Sequence, residues 1–320
     1  MNLRETLELD AAAAVAEIVA ALRKAARRFR RRGAVLGLSG GIDSSVTAAL
    51  AAKAFGPERV LGLLMPEDDS AEREESLELG GLLARHLGME TVTEDITPLL
   101  EASGCYERRD EAFARTIPGY GPGWRSKIVL PSLLESDSYR ISRLVAVNPE
   151  GERFEERMTP DAYLQAVAAT NFKQRTRKML EYYHADRLNR LVTGTPNRLE
   201  FDQGFFVKLG DGAADIKPIA HLYKTQVYQL AEHLGLPEEI SSRPPTTDTY
   251  SLPQSQEEFY FSVPHSVMDL CLLAVNEGVS AAEAAPQAGL SVEQTERVFA
   301  DIEAKRRVSE YLHSEPLLVS

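Results

Sequence analysis

The sequence predicts an α/β protein in which a doubly wound parallel sheet carries helices on both of its faces. Short apolar runs at 34–38 and 60–65 and an alternating pattern at 90–96 predict strands. Two longer segments of helical periodicity, 43–55 and 70–87, lie between these runs. The run at 60–65 is apolar at nearly every position, which is typical of a strand covered on both sides. This alternating order indicates parallel strands joined by right-handed crossovers.

The remaining elements extend this pattern into a single domain over residues 1–320. A helix is predicted over 3–32. Another begins with Thr159 as N-cap and Pro160 at its first position, and ends at about Asn189. Residues 101–160 are rich in glycine and proline and are expected to form an inserted loop with a β-hairpin. The other predicted elements are strands at 190–193 and 216–219, a helix at 224–234 and a mainly helical part at 256–320.

Composition and charge argue against several classes of function. The 320 residues carry a formal net charge of −12, so nucleic-acid binding is not expected, and the basic run at 23–32 is interpreted as a solvated helix end. Cys105 and Cys271 are too few for a disulfide framework or a zinc site. No apolar run has the length of a membrane span, and the first residues lack the apolar core of a signal peptide. We therefore expect a cytoplasmic protein without membrane contact.

Residues 39–45, Ser-Gly-Gly-Ile-Asp-Ser-Ser, follow the first strand and open the next helix. Glycines at 40 and 41 let backbone N–H groups turn toward a ligand, and a helix N-terminus favours an anion. The serine hydroxyls add donors, and Asp43 is suited to hold a divalent cation beside phosphates. No Gly-Lys-Ser/Thr follows, so the loop is not a Walker A motif. The alternative is an ordinary glycine turn before a capped helix.

A second polar stretch, Gly-Thr-Pro-Asn-Arg-Leu-Glu at 194–200, follows the strand predicted at 190–193. Ligands of open parallel sheets bind at the carboxyl ends of the strands, so this stretch is expected to face the loop at 39–45. Glu200 would then supply a second carboxylate to the cation, and Thr195 would contact a nucleotide. A strand-end turn without a chemical role is an equal alternative.

The Ser-Gly-Gly-x-Asp-Ser loop resembles the pyrophosphate-binding loop of the ATP pyrophosphatases, which adenylate a carboxylate and then displace AMP with a nucleophile. Further blocks in the same order resemble the ammonia-dependent NAD synthetases, which have the adenine nucleotide alpha-hydrolase-like fold. These blocks are residues 171–177, 194–200, 204–215, 222–227 and 245–248. The resemblance implies ATP- and Mg²⁺-dependent amidation of deamido-NAD with ammonia through an acyl-adenylate, which releases AMP and pyrophosphate.

The resemblance also implies the roles of individual residues. The residues that would bind ATP are Gly37, Leu38, Ser39, Gly40, Gly41, Ile42, Asp43, Ser44, Thr195, Lys224 and Thr246. Asp43 and Glu200 would hold Mg²⁺ and, with Lys224, would be the catalytic residues. The residues that match acceptor-contacting positions are Arg175, Lys208, Asp215 and Lys305. Adenylation brings two anions together, so cations and a metal are needed to neutralise their charge.

Three parts of the chain depart from the family's pattern: the insertion at 101–160, the stretch at 251–261, and Ala304-Lys305 where the family has His-Lys. These departures leave two other functions open. The same adenylation chemistry could amidate another carboxylate, such as a sugar acid or a metabolite, or the chain could be a non-catalytic nucleotide-binding subunit.

The resemblance also sets expectations about partners. About thirty residues precede the first strand, too few for an amidase domain with a nucleophilic cysteine, so we expect free ammonia as the nitrogen source. A separate glutaminase is left open as a partner. A homodimer is implied, with the acceptor site at the subunit interface.

Overall fold

The computed structural model describes residues 1–132, 134, 142–247 and 249–319. Residues 139–141 of the predicted hairpin, and Asp248 of the block at 245–248, lie outside the described residues. The helices of the described residues are α1 (Leu3–Thr6), α2 (Ala11–Phe29), α3 (Ile42–Phe55), α4 (Arg73–Leu87), α5 (Thr97–Ala102), α6 (Cys105–Thr116), α7 (Pro160–Leu188), α8 (Arg198–Gln203), α9 (Lys224–His233), α10 (Glu238–Ser241), α11 (His265–Glu277), α12 (Ala281–Ala288) and α13 (Val292–His313). The strands are β1 (Ala34–Gly37), β2 (Val60–Leu64), β3 (Glu90–Thr93), β4 (Arg125–Val129), β5 (Arg143–Val147), β6 (Arg153–Arg157) and β7 (Leu191–Val192).

Four parallel strands form the main sheet, in the order β3-β2-β1-β7. β1 lies inside the sheet, and the chain adds strands first on its β2 side and later on its β7 side. Ligands of open parallel sheets bind outside the carboxyl ends of the strands where the order reverses, which here is between β1 and β7. The predicted strand at 216–219 is reduced to one parallel bridge, from Thr193 to Ile216.

Both faces of the main sheet are buried, because alternate residues of a strand point to opposite sides. Leu36 and Leu64 belong to one core with residues of α2, α3, α4 and α9. Val35, Leu61 and Leu63 face the other way and pack against α7. The doubly wound α/β arrangement is therefore confirmed.

Residues 101–160 contain more regular structure than the predicted loop and hairpin. α6 packs against α7, and β4, β5 and β6 form an antiparallel sheet in that order. The prediction is wrong at α6 because a charged residue occupies its buried side: Arg109 is buried and forms ion pairs with Asp69 and Asp110. An apolar pattern does not reveal a helix of this kind.

Some predicted boundaries are also wrong. The N-terminal helix is divided into α1 and α2, since Asp10 caps α2 by accepting a hydrogen bond from the Ala13 N–H over 3.0 Å. α4 begins at Arg73 instead of residue 70. α7 was placed correctly: Thr159 is its N-cap and Asn189, in a left-handed conformation, is its C-cap.

A second core lies away from the main sheet, where α1 packs with α11, α12 and α13. α13 also contacts α8, which brings the C-terminal helices to the ligand edge of the sheet. Within the described ranges, none of the helices combines the length and the apolar character needed to cross a membrane.

Leu63 tests how much the α7 side of the sheet contributes to stability. Its side chain is fully buried. We expect Leu63→Ala to lower the free energy of unfolding by about 2–5 kcal/mol, because close-packed neighbours fill the resulting cavity only partly. Equilibrium urea denaturation measures the loss. Leu99→Ala, at a residue that is 42% exposed, is the matched control. An equal loss of unfolding free energy in the two variants would contradict the conclusion that the α7 side of the sheet is a close-packed core.

Candidate functional site

The loop after β1 forms a concave site for an anion. Gly40 has φ of +72°, a conformation that favours glycine, and a Cβ there would lie 2.9 Å from the Leu79 Cβ. Gly41 is the N-cap of α3 and has no side chain to satisfy the first N–H groups of the helix. The hydroxyls of Ser39 and Ser44 lie 3.1 Å apart at the same place. N–H groups and hydroxyls at a helix N-terminus suit a phosphate.

Asp43, in the first turn of α3, is held by two donors from distant parts of the chain. Lys224 Nζ donates to its Oδ2, and Asn197 Nδ2 donates to its Oδ1 over 3.1 Å. Lys224 is the first residue of α9, and Asn197 is the N-cap of α8. Three helices therefore converge on this one carboxylate.

Glu200, in the first turn of α8, is held at both oxygens. Its Oε2 accepts from the Asn197 N–H over 3.1 Å, as part of a capping box in which the Asn197 side chain accepts from the Glu200 N–H. Its Oε1 accepts from Gln256 Nε2, also over 3.1 Å. Burial and, after it, the negative charge of Asp43 raise the pKa of the Glu200 carboxyl to about 8. The capping box explains why Oε2 of Glu200 is held in place. The second carboxylate close by, Asp43, indicates that Glu200 has a further role besides capping α8.

Lys224 is buried, with only 2% of its surface exposed. Burial disfavours its positive charge, but the carboxylates of Asp43 and Glu200 outweigh that effect and raise the pKa of the lysine. Asp269 of α11 accepts hydrogen bonds from the N–H groups of Lys224 and Thr225, over 3.2 and 2.7 Å, and so anchors the start of α9. Lys224 is thus a charged group held in a defined position.

Two cavities meet at the loop after β1. The larger, of about 710 Å³, reaches from the loop to α7, α8 and α13, and the smaller, of about 210 Å³, lies over the carboxyl ends of β1 and β2. The residues that line both are Ser39, Ser44, Ser76, Gln174, Thr195 and Asp211. Two ligands that occupied the cavities would therefore meet beside the loop after β1.

Ten of the eleven residues predicted to bind ATP line one or both cavities, and Gly40 lines neither. Gly37 and Leu38 line the smaller cavity, Gly41, Ile42, Asp43 and Lys224 line the larger, and Thr195 lines both. Thr246 also lines the larger cavity, and its hydroxyl donates to Glu72 over 2.7 Å. The structure thus brings together residues from four separate parts of the chain.

Two of the four predicted acceptor residues line the larger cavity. Arg175 Nε donates to the backbone carbonyl of Lys208 over 3.3 Å. Lys208 Nζ donates to the carbonyls of Tyr311 and Ser314 over 2.7 and 3.0 Å, so it joins this wall to the end of α13. Phe205 and Phe206 line the same cavity.

The other two predicted acceptor residues line neither cavity. Lys305 forms an ion pair of 2.7 Å with Asp301 and donates to the carbonyl of Tyr260. Tyr260, unlike Lys305, lines the larger cavity. Asp215 lies at the edge of the main sheet, where its Oδ2 accepts from the Val192 N–H over 2.8 Å.

Three residues of the larger cavity were missed by the sequence analysis. Lys173 is 1% exposed, pairs with Glu67 and donates to the carbonyl of Thr249 over 2.7 Å. Arg243 pairs with Glu72 over 2.7 Å. Gln256, described above, binds Glu200. No local pattern marks these residues, because their partners are distant in sequence.

The carboxylates present fit a divalent cation that is bound together with a phosphate. Among the residues that the model describes, no group of three or more His, Cys, Asp or Glu side chains could hold a metal ion. Asp43 and Glu200 offer two carboxylates beside the anion loop. Mg²⁺ is commonly bound by one or two carboxylates, with phosphate oxygens and waters completing its octahedral shell.

Comparisons with known proteins show what this chain is similar to. A family model described as NAD synthase matches residues 14–116 and 135–311. A protein of Rhizobium meliloti named NH(3)-dependent NAD(+) synthetase is 62% identical over 315 residues, which are 98% of this chain and 94% of that protein. A protein of the same name from Mesorhizobium japonicum is 58% identical over 313 residues, 98% of each chain.

Solved structures show the same fold. The structure of NMN synthetase from Francisella tularensis is 24% identical, with a TM-score of 0.67 over 98% of this chain and 99% of that one. NH3-dependent NAD synthetase from Campylobacter jejuni is 22% identical, with a TM-score of 0.63 over 98% and 100% of the two chains.

The raised pKa of Glu200 predicts that a divalent cation binds more tightly as the pH rises. A carboxyl must lose its proton to ligate a metal, and with a pKa of about 8 this one is mostly protonated at pH 7. We expect the affinity for Mn²⁺, measured by electron paramagnetic resonance with a non-hydrolysable ATP analogue present, to rise about eightfold from pH 7 to pH 8.5. Glu200→Gln should remove this dependence. An affinity of the native protein that does not change with pH would contradict the prediction.

Proposed function

The chain belongs to the NAD synthase family, and we propose that its two cavities hold the two substrates of that family's reaction, ATP and deamido-NAD. It is a ligase that forms a C–N bond, amidating deamido-NAD to NAD⁺ with ammonia and ATP, as its relatives' identity over nearly the whole chain supports. The observation that carries the site assignment is the convergence of Asp43, Glu200 and Lys224 at the loop between the cavities. Two alternatives were open, the amidation of a different carboxylate and the role of a non-catalytic nucleotide-binding subunit. The described residues of the site contain no feature that favours either of them.

The placement of the substrates follows from the two cavities. The smaller cavity, over the carboxyl ends of β1 and β2, would take the nucleoside of ATP, with the phosphates at residues 39–45. The larger cavity has a size typical of sites for cofactor-sized ligands. Arg175 and Lys208 would meet the phosphates of deamido-NAD there, and Phe205 or Phe206 would lie near its pyridine ring.

The first chemical step is the attack of the deamido-NAD carboxylate on the α-phosphorus of ATP. The bond to the β,γ-phosphates breaks, and pyrophosphate leaves with the bonding electrons. Lys224 and the N–H groups at the start of α3 are placed to stabilise the charge that develops on the phosphates. Mg²⁺, when bound, neutralises phosphate charge and orients the leaving group, and Asp43 and Glu200 would hold it.

In the second step ammonia attacks the acyl carbon of the adenylate, the bond from that carbon to the AMP oxygen breaks, AMP leaves with the bonding electrons, and the nitrogen loses a proton to give the amide. The nucleophile needs orientation and a site without water, because hydrolysis of the adenylate is the competing reaction. The enclosing walls from α7, α8, α13 and the segment after Pro245 are suited to exclude water.

The cysteines support free ammonia as the nitrogen source. Burial raises the pKa of the Cys105 thiol to about 11 and that of the Cys271 thiol to about 12. Both are free thiols, and a thiol of such high pKa is inert as a nucleophile. Neither is suited to release ammonia from glutamine. Free buried thiols also suit the cytoplasmic location that we propose.

Exposed apolar residues support a homodimer. The side chains of Leu164, Met179 and Tyr183 on α7 are 55–63% exposed, and Val308 and Tyr311 on α13 are more than 70% exposed. Large apolar side chains grouped on two helices are typical of an interface. A two-fold interface at α7 and α13 would lie beside the larger cavity, and a partner subunit could then complete the acceptor site.

Pyrophosphate release tests the proposed site. We expect the purified protein with ATP, Mg²⁺ and ammonium to release pyrophosphate only slowly until deamido-NAD is added, and then to form NAD⁺. Asp43→Asn and Glu200→Gln should each lower kcat by about 10²–10³-fold. Each variant loses a carboxylate that would hold Mg²⁺, and without the cation the negative charge that develops on the phosphates is not neutralised. Glu58→Gln, at an exposed carboxylate, is the matched control. Native rates in both site variants would refute the assignment.

The proposed dimer is tested by molar mass in solution. Light scattering after gel filtration should give twice the mass of one chain for the native protein. Tyr183→Asp should shift it toward the monomer, because a charge buried at an apolar interface is unfavourable. Phe29→Asp, at an exposed apolar residue of α2, should leave the dimer intact. A monomeric native protein would count against the proposal.

A further inference from the structure

β4 of the region 101–160 and a later segment of the chain are joined by several hydrogen bonds. β4 binds the segment that follows Pro245: Ser126 N–H donates to Ser251 Oγ over 2.9 Å, and Leu252 N–H donates to the Ser126 carbonyl over 3.2 Å. Gln254, which is 2% exposed, donates from Nε2 to the Ile128 carbonyl over 2.6 Å. Lys127 Nζ, finally, donates to the carbonyl of Pro253 and to Glu258, over 3.1 and 2.7 Å.

The described residues of this segment, 245–247 and 249–256, are also bonded to one another, and we call this part of the chain the clasp. Thr246 and Ser255 form an antiparallel bridge. Thr247 N–H donates to the Gln254 carbonyl over 2.9 Å, and Gln256 N–H donates to the Pro245 carbonyl over 3.2 Å. Because its two ends are joined in this way, a displacement of the outer side would be transmitted to the inner side.

The inner side of the clasp faces the larger cavity and the proposed catalytic residues. Gln256 donates to Glu200, Thr246 donates to Glu72, and the Thr249 carbonyl accepts from the buried Lys173. The contact at Gln256 has the most direct effect on Glu200. The capping box holds Oε2 of this carboxylate, and Gln256 holds the other oxygen, Oε1. Residues of this kind, which hydrogen-bond a metal-ligating carboxylate, orient it and tune its affinity.

β4 is an addition to the family's common pattern. The family model matches residues 14–116 and 135–311, and β4 at Arg125–Val129 lies between the matched ranges. Neither Lys127 nor Gln254 lines either cavity. Any influence of these two residues on the reaction is therefore indirect, through the clasp and, for Lys127, also through Glu258, which lies beside the cavity residue Phe259.

We propose that β4 holds the clasp against the site, and that Gln256 is a positioning residue that orients Glu200 for the divalent cation. The proposal rests on the proposed function in one respect, the assignment of Glu200 to the cation. It gives the added antiparallel sheet a role in the reaction. Gln254 and Lys127 form hydrogen bonds between the clasp and β4, and Gln256 forms the hydrogen bond between the clasp and Glu200.

The test measures Mn²⁺ binding directly, by electron paramagnetic resonance with a non-hydrolysable ATP analogue present. We expect Gln256→Leu to weaken Mn²⁺ binding by on the order of tenfold, as is usual when a partner of a metal ligand is lost. Gln254→Leu and Lys127→Met should weaken it by a smaller factor of about threefold, since the inner contact is loosened and not removed. If Gln254→Leu does not fold, Lys127→Met, at a partly exposed residue, decides the question.

A second measurement, amide hydrogen exchange of the metal-free protein, follows the clasp itself. Exchange at residues 249–256 should become faster in Gln254→Leu and Lys127→Met, because local opening governs the rate. Unchanged exchange there, or unchanged Mn²⁺ affinity in folded Gln256→Leu, would overturn the proposal. Gln287→Leu is the matched control: its side chain bonds Leu3 in the other core, far from the cavities, and should change neither quantity.

Glu200→Gln separates this proposal from the one on which it rests. Weakened Mn²⁺ binding in Glu200→Gln together with native binding in Gln256→Leu would overturn the role of Gln256 alone. Native Mn²⁺ binding in Glu200→Gln would overturn the metal assignment and the positioning role together. Loss of binding in the Gln287→Leu control would show a general effect of losing a hydrogen bond, and would also overturn the positioning role.

Discussion

The contact between Asp43 and Lys224 is the constraint on which the rest of the site depends. It joins residues 181 positions apart, and the lysine is almost completely buried. A buried ammonium group without a carboxylate beside it is strongly unfavourable, so neither partner is stable in this position without the other. Asn197 ties α8 to the same carboxylate, and Asp269 holds the start of α9 from behind. The anion loop, the second carboxylate and the charged lysine therefore take their relative positions from one ion pair.

Features that depend on neighbouring residues could be predicted from the sequence. The glycine loop at 39–45 is defined by backbone conformation, and Gly40 has the positive φ that such a turn requires. Thr159 followed by Pro160 marks the start of α7, because capping and the restricted φ of proline act within one turn. The parallel sheet followed from apolar runs that are buried on both faces. The meeting of Asp43 and Glu200 was expected from the ligand edge of the sheet, whereas Lys224 was expected there only through a family resemblance.

Features that depend on distant partners could not be predicted in this way. β4 is short and lies among glycines and prolines, and its partners are β5 and a segment more than 120 residues later in the chain. Arg109 is buried because Asp69 and Asp110 surround it, and nothing in the local pattern of α6 indicates that burial. Lys208 was expected at the acceptor, and it does line the cavity, but its bonds to the end of α13 have no signal in the sequence. Long-range pairs of polar groups decide these positions, and periodicity carries no information about them.

The wall that the two cavities share has a thermodynamic consequence. Ser39, Ser44, Thr195 and Gln174 face both spaces, so a ligand that orders these side chains from one side prepares them for a ligand on the other. Whatever factor one occupant contributes to the affinity of the second, the second must contribute equally to the first. The entropy of ordering the wall is lost only once, by whichever ligand arrives first. Each ligand should therefore bind more weakly alone than when the other cavity is occupied. A single molecule that filled both cavities would gain binding free energy from both, while the entropy of ordering the shared wall is lost only once.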